Sequence, residues 1–173
     1  TPSGSEFVAY GFRPDVVLGH GDRLEGGDHA LVALHTPGHA PDHLCFAVET
    51  GGAAPDALIS GDHVMAWNTS VVAPPEGRMA DYLASLDLLV GRGERVYLPG
   101  HGGRLEEPQR MVKAYLLHRR WREQSILAAI RDGASTIRRI VPLVYPEIES
   151  HLLTAATLSV QAHVDHLSEK GLV

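Results

Sequence analysis

A single cysteine in 173 residues excludes an intrachain disulfide, so the fold must rest on its core, and a reducing compartment suits the lone thiol. Cys45 falls in the apolar stretch 44–48 and reads as a buried strand thiol rather than a nucleophile. No apolar run approaches the roughly 18 residues that a membrane-spanning helix needs, so no membrane partner is expected. No basic-then-apolar leader opens the chain, and a cytoplasmic protein is the expectation. The opening residues include Gly4-Ser5-Glu6-Phe7, which reads as a cloning scar or a native loop, outside the fold in either case. A basic excess is also missing: the net charge of −6 opposes non-specific binding of polyanions. Repeats and low-complexity tracts are absent. What remains, 44% hydrophobic and 21% charged, is an ordinary globular composition, long enough for one domain or one and a half.

Three short motifs carry most of the information. They are Thr36-Pro37-Gly38-His39-Ala40-Pro41-Asp42-His43, Ser60-Gly61-Asp62-His63 and Leu98-Pro99-Gly100-His101-Gly102. Each follows a short apolar run that reads as a buried strand, at 30–34, 57–59 and 96–98. Each sets a His or an Asp in a glycine-rich turn at the strand's C-terminal end, where α/β architectures collect ligands on one rim. Two imidazoles and a carboxylate form a partial set for zinc, with the carboxylate able to bridge two ions. The three loops are therefore expected to meet.

Around these motifs, residues 16–18, 31–34, 44–48 and 95–98 read as strands, and 50–56 as a turn. Residues 79–90 have the apolar spacing of an amphipathic helix. After the third motif the charge reverses. Residues 104–139 hold nine basic and four acidic side chains, against six and seventeen elsewhere. Residues 110–131 predict a long helix stopped by Gly133. A short helix over 136–143 follows, with Ser135 as N-cap and Pro142 limiting it. A third, over 148–170, is ended by Gly171. Ala114, Leu117, Trp121, Ile126, Ile140, Leu153, Leu158 and Val164 are the expected core of this helical part. The division expected is 1–105 and 106–173.

The three motifs, the run Gly61-Asp62-His63-Val64-Met65 to Ser70-Val71-Val72-Ala73-Pro74-Pro75 and the C-terminal helices resemble the metallo-β-lactamase superfamily. Within its glyoxalase II-like branch, the β-lactamase-like protein 2 group is the most similar. The resemblance implies an α/β fold, the second half of an αββα sandwich, followed by a helical winged-helix-like module. It implies two metal ions, zinc by default with iron or manganese also suited. His39 would be a terminal ligand of one ion, His101 of the other, and Asp62 the bridge and catalytic carboxylate. The family's upstream His-x-His-x-Asp-His motif has no counterpart before His39. His163-Val164-Asp165-His166 is a near match in a helical pattern, read as an exposed helix face. The chain thus looks like the C-terminal part of a longer enzyme, with little activity alone.

The remaining candidates carry two readings each. His43 and His63 either support the ligands and substrate or pack their loops. Trp67 and Asn68 either line the substrate cleft or pack at its rim. His35 reads as structural, His20 and His29 as solvated. Arg119, Arg120 and Arg122 read as a solvated helix face, with nucleic-acid contact as the other option. The expected function is a binuclear zinc hydrolase that turns metal-activated hydroxide on an ester, thioester or phosphodiester. Single-stranded RNA leads as substrate, a small-molecule ester or thioester follows, and a homodimer is a further partner to consider. The alternative is a nucleic-acid-binding or interaction module in which the metallo-β-lactamase part is scaffold.

Overall fold

The computed structural model describes residues 13–52 and 56–173; residues 1–12, with the Gly-Ser-Glu-Phe run, and the tip of the 50–56 turn lie outside them. Strands β1 (Arg23–Gly26), β2 (His29–His35), β3 (Leu44–Glu49) and β4 (Ala57–Gly61) are followed by helix α1 (Met79–Leu89) and strand β5 (Val96–Pro99). Helices α2 (Pro108–Arg131), α3 (Ile137–Val144) and α4 (Leu153–Glu169) complete the chain, with a 3-10 turn at Ser150–Leu152 before α4. The five strands form one sheet in sequence order. All neighbours are antiparallel except β4 and β5, which run parallel because α1 carries the chain back between them. The strand expected at 16–18 does not form; those residues approach the sheet as irregular chain, and β1 lies beyond them in the polar segment 23–26. Its four residues are all exposed and Leu24 is the one large apolar side chain, too little for a strand pattern, so pairing with β2 makes it a strand.

The register explains the core. Val32, Ala47, Leu58 and Tyr97 stand in one row across β2 to β5. Against that face α1 packs Met79, Tyr82, Leu86 and Leu89, all buried. The opposite face carries the row Ala33, Phe46, Ile59 and Leu98. There Ile59 and Leu98 remain 37% and 39% exposed. The sheet is therefore covered by helix on one side and apolar but open on the other, among the described residues.

α2 starts two residues earlier than its periodicity suggests, because Pro108 sits at the first helical position, where a missing N–H costs nothing. Its N-terminal half (Val112, Tyr115, Leu116) joins the sheet–α1 core, together with Ala162 of α4. Its C-terminal half packs Ile126 and Leu127 against Ile140, Val144, Val160 and Leu167 of α3 and α4 in a second cluster. α3 keeps Pro142 inside the helix, and its N-cap is Thr136, not Ser135, with no side-chain cap. The segment after Gly171 is not a strand.

The helical core differs from expectation in phase. Ile126 and Ile140 are buried, while Leu158 and Val164 are half-buried. Ala114, Leu117, Trp121 and Leu153 face out. The physical reason is that α2 buries Arg119, Arg122 and Glu123 in place of apolar residues. Those arginines are therefore neither a solvated face nor a nucleic-acid surface; Arg120 alone of the three is exposed. His163 likewise is fully buried and His166 nearly so, correcting the reading of that segment as an exposed face. No described helix is long and apolar enough to cross a membrane.

Candidate metal centre

Strands β2, β4 and β5 all point the same way, since two antiparallel steps separate β2 from β4 and β5 is parallel to β4. Their C-terminal ends therefore share one rim. The loops that follow bring His39, Asp62 and His101 together there. His39 Nε2 lies 3.8 Å from Asp62 Oδ2, and His101 Nε2 lies 3.6 Å from Asp62 Oδ1. Each imidazole thus addresses a different oxygen of one carboxylate. Asp62 and His39 are half-buried, whereas His101 is exposed.

The support behind these side chains fixes their orientation. His39 Nδ1 donates to the Val71 carbonyl at 2.7 Å, which leaves Nε2 as the ring's free lone pair. His43 Nε2 accepts the backbone N–H of Asp62 at 3.2 Å, so its proton sits on Nδ1, 2.9 Å from Thr36 Oγ1. Burial, then the neighbouring His39, hold His43 below the ordinary histidine range, in keeping with that neutral tautomer. His43 therefore positions the Asp62 turn and is not free to offer Nε2 elsewhere. The turn has no slack. Gly61 adopts φ +50°, and a Cβ there would fall 2.7 Å from His43 Nε2. A Cβ on Gly100 would fall 2.6 Å from Asp62 Oδ1.

His63 does not reach the rim. It is fully buried between His43 and Tyr82, with ring centroids 5.8 Å and 4.7 Å away, and both ring nitrogens lack a partner. Burial pushes it down to about 3, with the neighbouring histidines and Arg119 adding to the effect. Its carbonyl accepts from Tyr82 Oη and Ser70 Oγ. Trp67 is 75% exposed and packs on the turn after His101, 3.5 Å from where a Gly102 Cβ would be. Asn68 is exposed, and its carbonyl accepts from Tyr115 Oη. His35 Nε2 lies 2.9 Å from the Pro41 carbonyl, closing the His39 loop, and His20 Nδ1 accepts from the His35 N–H. His29 pairs with exposed Asp28. Cys45 is buried and its thiol is raised to about 11 by burial, as a structural thiol should be.

Sequence reading missed the supporting parts played by Val71, Ser70, Thr36 and Arg119. Ser70 Oγ donates to the Asp62 and His63 carbonyls, and Arg119 donates to the Ser70 carbonyl, so segment 68–71 braces the rim from behind. A backbone acceptor such as Val71 leaves no side-chain signature. The donor types fit a metal, with one imidazole nitrogen and one carboxylate oxygen toward each side. They do not complete a site: among the described residues no group of three or more His, Cys, Asp and Glu side chains is gathered closely enough to hold an ion.

Comparison with known proteins accounts for both halves of the chain. The metallo-beta-lactamase superfamily model matches residues 3–101, and the beta-lactamase associated winged helix domain matches residues 136–173. A beta-lactamase-like protein 2 homolog from Drosophila melanogaster is 31% identical over 141 residues, 80% of this chain and 45% of that protein. The crystal structure of a metallo-beta-lactamase family protein from Thermus thermophilus superposes with a TM-score of 0.76 at 28% identity, over 92% of this chain and 50% of that one. A beta-lactamase domain protein from Burkholderia ambifaria gives a TM-score of 0.78 at 25% identity, over 89% and 47%. The chain spans about half the length of these relatives. The family match and the shared fold agree: the chain belongs to the metallo-beta-lactamase superfamily.

Proposed function

We propose that the chain supplies the C-terminal share of a binuclear zinc hydrolase acting on an ester, thioester or phosphodiester bond. The observation that carries this reading is the approach of His39 and His101 to opposite oxygens of Asp62. His39 and His101 would each hold an ion through Nε2, and Asp62 would serve both. Bound divalent ions supply a water of lowered pKa and polarise the oxygen under attack. The chain's own residues orient that chemistry. The Val71 carbonyl fixes the His39 ring, His43 holds the Asp62 turn, and Trp67 offers an exposed apolar wall beside His101 for the substrate.

RNA loses one of its arguments. Of the three arginines that favoured it, two are buried in packing, and Arg120 lies 3.9 Å from Asp87. Single-stranded RNA and acyl thioesters are therefore the two substrates to compare directly. The longer parent protein, analysed for metal content, is offered both, beside Asp62→Ala. We expect about two ions per parent and a loss of at least about 100-fold in kcat/KM for Asp62→Ala, on whichever substrate is cleaved. Cleavage of RNA alone assigns a nuclease and of thioester alone a thioesterase. Equal rates in parent and variant would refute the role of Asp62.

A further inference from the structure

Beside segment 68–71 a cavity of about 220 Å³ lies between that segment, α2 and α4. Ser70, His118, Arg119, Arg122, Tyr145 and Ser159 contribute to its wall, and no carboxylate does. That is unusual in a chain with a net charge of −6. Arg119 is 3% exposed and Arg122 7%, and among the described residues neither has a carboxylate within ion-pair distance. Buried Glu123, next in sequence, is engaged instead with Lys170 at 3.2 Å and His166 at 3.5 Å.

Two unpaired guanidinium groups out of water are costly unless something compensates them. The structure offers only part of that. Arg119 donates to the Ser70 carbonyl and lies 5.1 Å from the centre of the Tyr82 ring. Arg122 donates to the Val144 carbonyl at 2.6 Å and stacks 3.8 Å over Tyr145. Each guanidinium has five N–H donors, and the structure engages one nitrogen of each with a backbone carbonyl. Arg119 Nε, Arg122 Nε, His118 Nδ1 and Ser159 Oγ are all buried without a hydrogen-bond partner. Buried polar atoms left so usually have a partner that is not drawn. All four belong to residues that line the cavity, two of them cations, and that composition suits an oxyanion.

We infer that this cavity binds a phosphate-class dianion, with Arg119 and Arg122 as its charge partners and His118 and Ser159 as neutral hydrogen-bonding groups. Two fixed positive charges match two negative ones, and planar guanidinium groups suit the spread oxygens of a phosphate. The dianion is either free phosphate or a phosphate carried on the substrate of the neighbouring rim. The site itself does not depend on the hydrolase reading.

The test uses metal-free protein, so that phosphate cannot report on the rim. Inorganic phosphate is titrated while the arginine Nε–Hε signals are followed by ¹H–¹⁵N NMR, alongside the melting temperature. Saturable movement of two such signals with a rise in Tm is expected. Arg122→Gln should weaken binding about tenfold, and Ser159→Ala several-fold. Arg122→Gln also removes the stacking on Tyr145, so Ser159→Ala, which breaks no hydrogen bond of the fold, keeps the test decisive if the first variant unfolds. No saturable binding, binding that moves neither arginine signal, or a dissociation constant unchanged in every folded variant would overturn the inference. The source is then read from the parent's hydrolysis kinetics. Phosphate that raises KM at constant kcat, less so in Ser159→Ala, marks a group of the substrate; binding without effect on kinetics marks free phosphate.

Discussion

An alanine methyl at position 100 would lie 2.6 Å from Asp62 Oδ1, inside van der Waals contact. The carboxylate would have to turn away from His101, since Gly61 behind it is already closed by His43. Gly100→Ala in the parent should therefore lower kcat/KM by about 10- to 100-fold with the fold intact, because displacements near 1 Å at a reacting centre cost that much. Circular dichroism and Tm control for folding, and wild-type rates in the variant would show that Asp62 has freedom the geometry denies it. At this scale the sequence was most readable. His39, Asp62 and His101 could be picked out because each sits in a glycine-bearing turn after an apolar run. The groups that aim them could not. Val71 acts through a backbone carbonyl, and the part played by His43 depends on which loop its ring meets, which no local pattern encodes.

Helix α2 marks where periodicity succeeds in finding an element and fails in orienting it. Its existence and its stop at Gly133 follow from the pattern, but its inward face does not. Arg119, Arg122 and Glu123 occupy positions that a binary pattern assigns to solvent, while Leu117 and Trp121 are 70% and 57% exposed. The cavity between α2 and α4 and the stacking of Arg122 on Tyr145 are tertiary facts that override the local signal. Two substitutions separate the readings. Trp121→Gln should change stability by no more than about 0.5 kcal/mol, as exposed changes do. Ile126→Ala, at a site with no exposure, should cost about 2–5 kcal/mol. Urea unfolding of both variants gives the answer, and a large loss for Trp121→Gln would restore the phase that the sequence suggests. β1 shows the opposite failure. It has no hydrophobic pattern at all, and it exists because β2 offers it an edge.

For the whole molecule, the two core clusters share an unusual feature: each is adjoined by a buried histidine with no hydrogen-bond partner. His63 lies among the sheet–α1 residues, and His163 lies on α4, near Arg119, Arg122, His118 and His166. Burial drives both down to about 3, and nearby positive groups reinforce it. Once unfolded, each imidazole returns to about 6.5 and takes up a proton below that pH. The unfolded chain then binds more protons than the folded one, so stability falls as pH drops from 6.5 toward 3. Each histidine contributes about 1.4 kcal/mol per pH unit through that window, and the pair about twice as much. Between pH 6.5 and 5 few carboxylates titrate, so that interval isolates the histidines. His163→Leu removes one of these protons and breaks no hydrogen bond, while His43, His118 and His166, also held below the ordinary range, keep theirs. In metal-free protein it should lower the slope of unfolding free energy against pH over that interval by up to about 1.4 kcal/mol per pH unit, measured by urea denaturation at several pH values. A slope the same as wild type would mean that His163 reaches water or a proton partner in the folded state, contrary to its complete burial.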